Sequence, residues 1–212
     1  MTISMYKASA PIFVQFLTSL SRVLDKAAAH AEAKKIDPSV LLNTRLYPDM
    51  FPLVRQVRAA TDHAISACGR LAGVELLTFA NTENSIPELK DRIAKAIEFI
   101  KSIKPAQIDG TEDKEIAIKF ASGERKFTGQ SLLLNFCLPN FYFHATTAYD
   151  ILRHCGSAAG RRRASISAST SIAADRRAAG VIRARCLPAG CRDRCGLSSS
   201  GFQRWGCRRS CG

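Results

Sequence analysis

At Ser157 the composition changes so abruptly that only the residues before it can supply a hydrophobic core. From Ser157 to Gly212, 46 of 56 residues are Ala, Arg, Ser, Gly, Cys, Thr, Pro or Trp, whose codons carry G or C in the middle position, against 64 of 156 in Met1–Gly156. This stretch has 12 Arg, no Lys, Glu, Tyr or Met, and eight large apolar side chains. So little apolar surface cannot offset an ordering cost of about 1–2 kcal/mol per residue. The segment 157–212 reads as a GC-rich gene translated out of frame, predicted to be disordered, and residues 1–156 read as the domain.

Charge and cysteine follow the same division. The net charge of +13 would suggest a polyanion or an anionic membrane, but 19 basic minus 16 acidic residues gives +3 for Met1–Gly156, and 12 minus 2 gives +10 for the remainder. The first part has the near-neutral balance of an ordinary soluble domain. Cys68, Cys137 and Cys155 lie among apolar neighbours and read as small buried hydrophobes in a reducing compartment. Lys7, the stretch Ala8–Leu20 and Ala29-His30-Ala31 loosely imitate a signal peptide, yet Gln15, Thr18, Ser19 and Ser21 interrupt it at helical spacing. Nothing approaches the roughly 18 uninterrupted apolar residues of a membrane span. A cytoplasmic location and no membrane partner are expected.

Apolar positions recurring at three- and four-residue steps predict the helices. Ile12, Phe13, Phe16, Leu17, Leu20, Val23, Leu24, Ala27, Ala28 and Ala31 mark a first helix from about Ser9 to Lys34, and Asp37-Pro38 opens a short turn through Leu42. Asp49 is expected to cap a second long helix from Met50 to Ala72, with Phe51, Val54, Val57, Thr61, Ile65, Cys68 and Leu71 inward and Gly73 at its end. Ser85-Ile86-Pro87-Glu88 is a capping box with a first-turn proline, followed by the stripe Leu89, Ile93, Ile97 and Ile100 of a third helix that Lys104-Pro105 stops. Ile116, Ile118 and Phe120 alternate with polar residues before Gly123, the pattern of a small hairpin. Leu132–Phe136 is a helical turn, and Leu138-Pro139-Asn140 restarts the chain into a fourth helix with Phe141, Ala145, Ala148, Ile151, Leu152 and Cys155 on one face. The fold class is all-α: an antiparallel four-helix bundle with a small β-hairpin between the third and fourth helices.

Two stretches carry a family resemblance, Arg45-Leu46-Tyr47-Pro48-Asp49-Met50-Phe51-Pro52-Leu53 leading to Gln56, and Leu138-Pro139-Asn140-Phe141-Tyr142-Phe143-His144-Ala145-Thr146-Thr147-Ala148-Tyr149. With Arg70-Leu71-Ala72-Gly73 and Glu88-Leu89, they resemble the bacterial family termed domain of unknown function 1993, related to the DinB-like (YfiT-like) helical bundles. The match runs from about Met5 to Gly156. It implies a four-helix bundle, often a homodimer in the wider superfamily, with no established biochemical role. It also implies a short Gly- and Lys-containing end after the last helix, in place of which this chain has the segment beginning at Ser157.

The wider superfamily further implies a divalent metal held by three histidines, one from the second helix and two close together on the fourth. Imidazoles three or four residues apart on a helix share a face and can chelate together. After His144, however, those positions are Thr147 and Ala148; the second helix offers Gln56, with His63 two turns along. His154 follows ten residues after His144, about 15 Å along a helix. No metal and no cofactor are therefore expected.

Asn140, Tyr142, His144 and Tyr149 on the fourth helix could face Arg45, Asp49 and Gln56 at the head of the second and form a small polar pocket. The alternative is that Tyr47-Pro48-Asp49 and Pro139-Asn140 only cap and turn while the aromatics fill the core. No nucleophile with a neighbouring base can be defended, and Asp62-His63, about 100° apart on a helix, read as solvent-facing. Among Cys186, Cys191, Cys195, Cys207 and Cys211 the spacings are not those of a zinc ribbon. Arg161-Arg162-Arg163 and Arg208-Arg209 would hold polyanions only weakly, so no specific nucleic acid is expected. The functional expectation is a metal-free module that binds a small ligand or serves in stress. A metal- or thiol-dependent transferase and a basic-tailed nucleic-acid binder are the alternatives.

Overall fold

The computed structural model describes residues 3–120 and 123–157. The expectations for the tail, its disorder, its reading frame, its cysteines and its arginine runs, lie outside the described residues. Four long helices form the bundle: α1 (Ala10–Lys34), α3 (Leu53–Ala72), α4 (Ile86–Ser102) and α7 (Leu138–His154). Between them lie the short helices α2 (Pro38–Asn43), α5 (Pro105–Ile108) and α6 (Gly129–Ser131), and strands β1 (Glu115–Phe120) and β2 (Gly123–Thr128). α1 packs on α4 and α7, and α3 packs on the same two helices, so the core lies along the axis enclosed by all four. Phe13, Leu17, Leu20, Leu24, Val57, Ala64, Leu71, Leu89, Ile93, Ile100, Phe141 and Ile151 fill it. No described helix is long and apolar enough to cross a membrane.

Local chemistry sets the element ends. Asp37 accepts from the Ser39 amide at 2.9 Å, and Gly73 closes α3 at φ 69°, a left-handed conformation that suits glycine. At the head of α4, Ser85 Oγ accepts from Glu88 N at 3.4 Å while Glu88 reaches back to Asn84 N at 2.7 Å, a capping box displaced by one residue from the expected one. The hairpin pairs Phe120 with Gly123 and Glu115 with Thr128, and its inward side chains Ile116 and Ile118 join the core. Gly129 must be glycine because a Cβ there would lie 1.9 Å from the Thr111 carbonyl oxygen.

Three expectations are corrected. The second long helix starts at Leu53 rather than Met50, and its N-cap is Pro52, not Asp49. A residue before proline is pushed out of the α region, which keeps Phe51 outside the helix and delays its start. Phe51 consequently leaves the core and is 37% exposed. The fourth helix starts at Leu138 as expected, and the turn before it, Leu132–Cys137, is π-helical and runs directly into α7. Pro139 has no N–H to give to Asn135, and Leu138 N instead donates five residues back to Leu133 O.

Periodicity gave no hint of Arg92, the largest of the fully buried side chains, on α4. Its Nε donates to Thr61 Oγ1 at 2.7 Å, Nη1 to Asn81 Oδ1 at 2.9 Å and Glu83 Oε1 at 2.7 Å, and Nη2 to Asp62 Oδ1. The guanidinium lies 4.2 Å over the Phe79 ring. Glu83 also meets Arg58, whose Nη2 donates to the Glu83 carbonyl and whose Nε lies 2.8 Å from Oε2. That last contact is an ion pair rather than an aligned hydrogen bond, since both atoms lack a hydrogen-bond partner. Two arginines on two helices thus hold the connection 74–84 in place. Asn81 takes a left-handed conformation at φ 58°, one that Asn tolerates better than most residues, while it serves Arg92.

Removing one partner from a buried ionic network leaves the others uncompensated. Arg92→Met should lower stability by about 3–5 kcal/mol in urea unfolding. Lys90→Met, which breaks only the exposed pair with Asp25, should cost less than about 1 kcal/mol.

Candidate functional site

A cleft of about 520 Å³ opens beside α3 and α7, lined by Phe51, Arg55, Arg58, Ala59, Asp62, His63, Asn81 and His144. Arg55, Arg58/Ala59 and Asp62 recur at helical steps along α3, His63 lies beside them, and α7 contributes His144. Packing of α3 on α7 brings the two histidines together. Their rings stack with centroids 5.5 Å apart and 12° between planes, and Phe51 also stacks with His144, centroids 6.2 Å apart. Phe136 meets His63 edge-on at 5.6 Å, and the Arg55 guanidinium covers Phe51 at 3.8 Å.

Behind the cleft wall His144, 8% exposed, meets Gln56, 1% exposed: Nδ1 lies 2.7 Å from Gln56 Oε1. Gln56 Nε2 donates to the Phe51 carbonyl oxygen at 3.1 Å. Burial, and then the neighbouring His144, push His63 down from 6.5 to about 4. Burial also lowers His144. Both rings are therefore neutral at pH 7. Burial raises the thiols of Cys68 and Cys137 to about 12, so neither supplies a thiolate.

Of the seven residues expected to form a pocket, the structure brings Gln56 and His144 into direct contact. Asn140 Nδ2 donates to Phe136 O at 2.7 Å. Tyr142 packs on Phe16 with ring centroids 4.9 Å apart, its hydroxyl raised by burial, and Tyr149 packs against the core. Arg45 donates to Pro48 O at 3.1 Å in the exposed connection that also carries Asp49. These five do not line the cleft. His63 is corrected: it is not solvent-facing but enclosed by His144 and Phe136, while its neighbour Asp62 is half exposed. The seven-residue step from Gln56 to His63, two turns along one face, was the legible signal for that placement. Asn81 and Glu83, in an irregular connection, had none.

A three-histidine metal does not fit these residues. Both ends of the Gln56 amide are committed, Thr147 and Ala148 are buried where a second α7 imidazole would stand, and His63 and His144 face each other as parallel plates. Among the described residues, no three His, Cys, Asp or Glu side chains are grouped for an ion.

The fold and cleft define a DinB-like helical bundle with a stacked imidazole pair lining its cleft. Residues 5–163 match the model of the domain of unknown function DUF1993, and the chain belongs to that family. It is similar to the crystal structure of a DinB family member protein from Shewanella denitrificans, with a TM-score of 0.70 and 34% identity, over 78% of this chain and 93% of that one. No protein of curated function matches it.

Below pH 6.5 the unfolded chain takes up a proton that native His63 refuses until about pH 4, so stability from this group is complete above 6.5 and declines as pH falls toward 4. The difference should be roughly 1–3 kcal/mol. His63→Phe keeps the ring stack and should flatten that part of the profile, measured by urea unfolding from pH 7 to pH 4 beside the parent protein.

Proposed function

We propose that this domain is a metal-independent binding module of the cytoplasm, working as a monomer or homodimer, whose site is the His63–His144 cleft. Its ligand is a small molecule with one anionic group and one hydrogen-bond donor. The charge balance of the cleft carries this reading. Arg58 and Arg92 are matched by Glu83 and Asp62, so these four charges cancel. Arg55, exposed at the mouth over Phe51, has no carboxylate partner among the described residues. Inside, the neutral His144 offers an acceptor. Apolar walls with a few convergent polar groups are the usual make-up of a small-molecule site. Residues 1–156 carry this function, and the segment 157–212 adds nothing to it.

The test uses glycolate as the probe, with ethylene glycol and ethylamine as uncharged and cationic controls. Glycolate should shift the His63 and His144 ring resonances with a Kd on the order of millimolar. Arg55→Gln should weaken it about five- to tenfold, the effect of losing one partly exposed charge-assisted contact. Equal responses to ethylamine, or none to glycolate, would overturn the reading. The purified protein should also hold well under one equivalent of zinc, nickel or iron by elemental analysis. Near one equivalent, lost in His144→Ala, would favour a metal-dependent transferase instead.

A further inference from the structure

A glutamine side chain can be assigned only from the groups that surround it. Here one neighbour, the Phe51 carbonyl oxygen, accepts only, and it lies 3.1 Å from one end of the Gln56 amide. That end must be the NH2 group. The other end, Oε1, can only accept, and it lies 2.7 Å from His144 Nδ1. His144 Nδ1 must then carry a proton. A neutral imidazole holds one proton, so its Nε2 is left as a bare lone pair. Nε2 has no partner among the described residues, and it is not among the buried polar atoms sealed from solvent. It belongs to a residue that lines the cleft.

We propose that Gln56 fixes His144 in the Nδ1–H tautomer and so makes Nε2 the proton acceptor of the cleft, directed at an acidic O–H or S–H of the bound small molecule. Gln56 is the positioning residue. In the transfer, the Nε2 lone pair forms the new N–H bond, and the electron pair of the ligand's O–H or S–H bond stays on that atom as an anion. The positive charge gained by the ring strengthens the Nδ1–H contact with Gln56 Oε1. The other charged and titratable groups at the cleft are Arg55, Arg58, Asp62 and His63, with Glu83 and Arg92 paired behind them. Of these, Arg55 faces the anion that the transfer leaves behind. The anionic ligand class rests on the function proposed above; the tautomer rests only on the Phe51–Gln56–His144 chain.

Nitrogen-15 correlation spectra of the histidine rings decide the tautomer directly. His144 should show a protonated Nδ1 and an unprotonated Nε2 at pH 7, the reverse of the form that free imidazole side chains prefer. Gln56→Leu, which removes the acceptor beside Nδ1, should lose that signature. Diethyl pyrocarbonate should label His144 in the folded protein at pH 7, with the modified peptide identified by mass spectrometry, because the reagent needs only an accessible, unprotonated ring nitrogen. A protonated Nε2 in the parent protein overturns the proposal, as does a His144 that stays unlabelled while folded. If Gln56→Leu does not fold, the parent spectrum and the labelling still decide. Should the tautomer and labelling hold while glycolate fails to bind, the ligand class falls and the proton acceptor stands.

Discussion

The Arg92 side chain is 1% exposed, so the work that water does for a surface guanidinium falls to Thr61, Asp62, Asn81 and Glu83. Desolvating such a charge costs several kcal/mol unless its hydrogen bonds and counter-charges are in place. The five donors of an arginine lie in one plane, and satisfying them requires groups from α3 and from the connection 74–84 to converge on α4. That requirement fixes the path of a connection that has no regular structure of its own. It also fixes the tilt of the Asp62 carboxylate at the edge of α3. Glu83 gains from the same arrangement: its desolvation is outweighed by the hydrogen bond and charge of Arg92 and by the charge of Arg58, which leave its carboxyl below the usual glutamate range.

The electrostatics of the cleft follow from this pairing. Arg58, Asp62 and Asn81 all line it, yet each is already occupied on the inner side by the network around Arg92 and Glu83. A cleft with two arginines and one aspartate on its wall would otherwise have a strong and ambiguous field. With the inner charges cancelled, the field is left to Arg55, and the chemistry to the histidines. Burial supports this separation, because it keeps both imidazoles neutral and so prevents them from adding positive charge beside Arg55 near neutral pH.

Much of the bundle was legible because helical periodicity and capping chemistry are local. Ser85, Asp37 and Gly73 end their helices by contacts within a few residues, and the structure places those ends close to where the sequence does. Proline acts on its neighbours: Pro52 delayed α3, and Pro139, in the first turn of α7, goes with a widened turn just before it. Gln56 and His144 were recognisable as a facing pair from two helices. Arg55, Arg58 and Asp62 were not, since a polar stripe on an amphipathic helix looks the same whether it faces solvent or a cleft. Arg92 was the least legible of all. An arginine on α4 between Leu89 and Ile93 resembles a solvated residue until the partners from Asn81 and Glu83 are known, and those lie in a stretch without periodicity.

Gln56 sets the chemistry of this cleft. A histidine at position 56 could turn a nitrogen toward the space beside His144; an amide clamped by the Phe51 carbonyl can only offer an oxygen to the Nδ1–H. That clamp uses the Phe51 carbonyl, and Pro52 after it disfavours the α conformation at Phe51. The residue that delays α3 therefore also sets the carbonyl that orients Gln56, which in turn sets the proton on His144. The motif Phe51-Pro52, with Gln56 one turn later, is thus the local sequence that leaves one imidazole nitrogen free in the cleft. His63 then gains a second meaning. Stacked with His144 and held neutral by burial, it packs against the ring without competing for its proton, as Phe51 does. Among these packed rings, Nε2 of His144 keeps no hydrogen-bond partner among the described residues and is the ring nitrogen left for a ligand to reach.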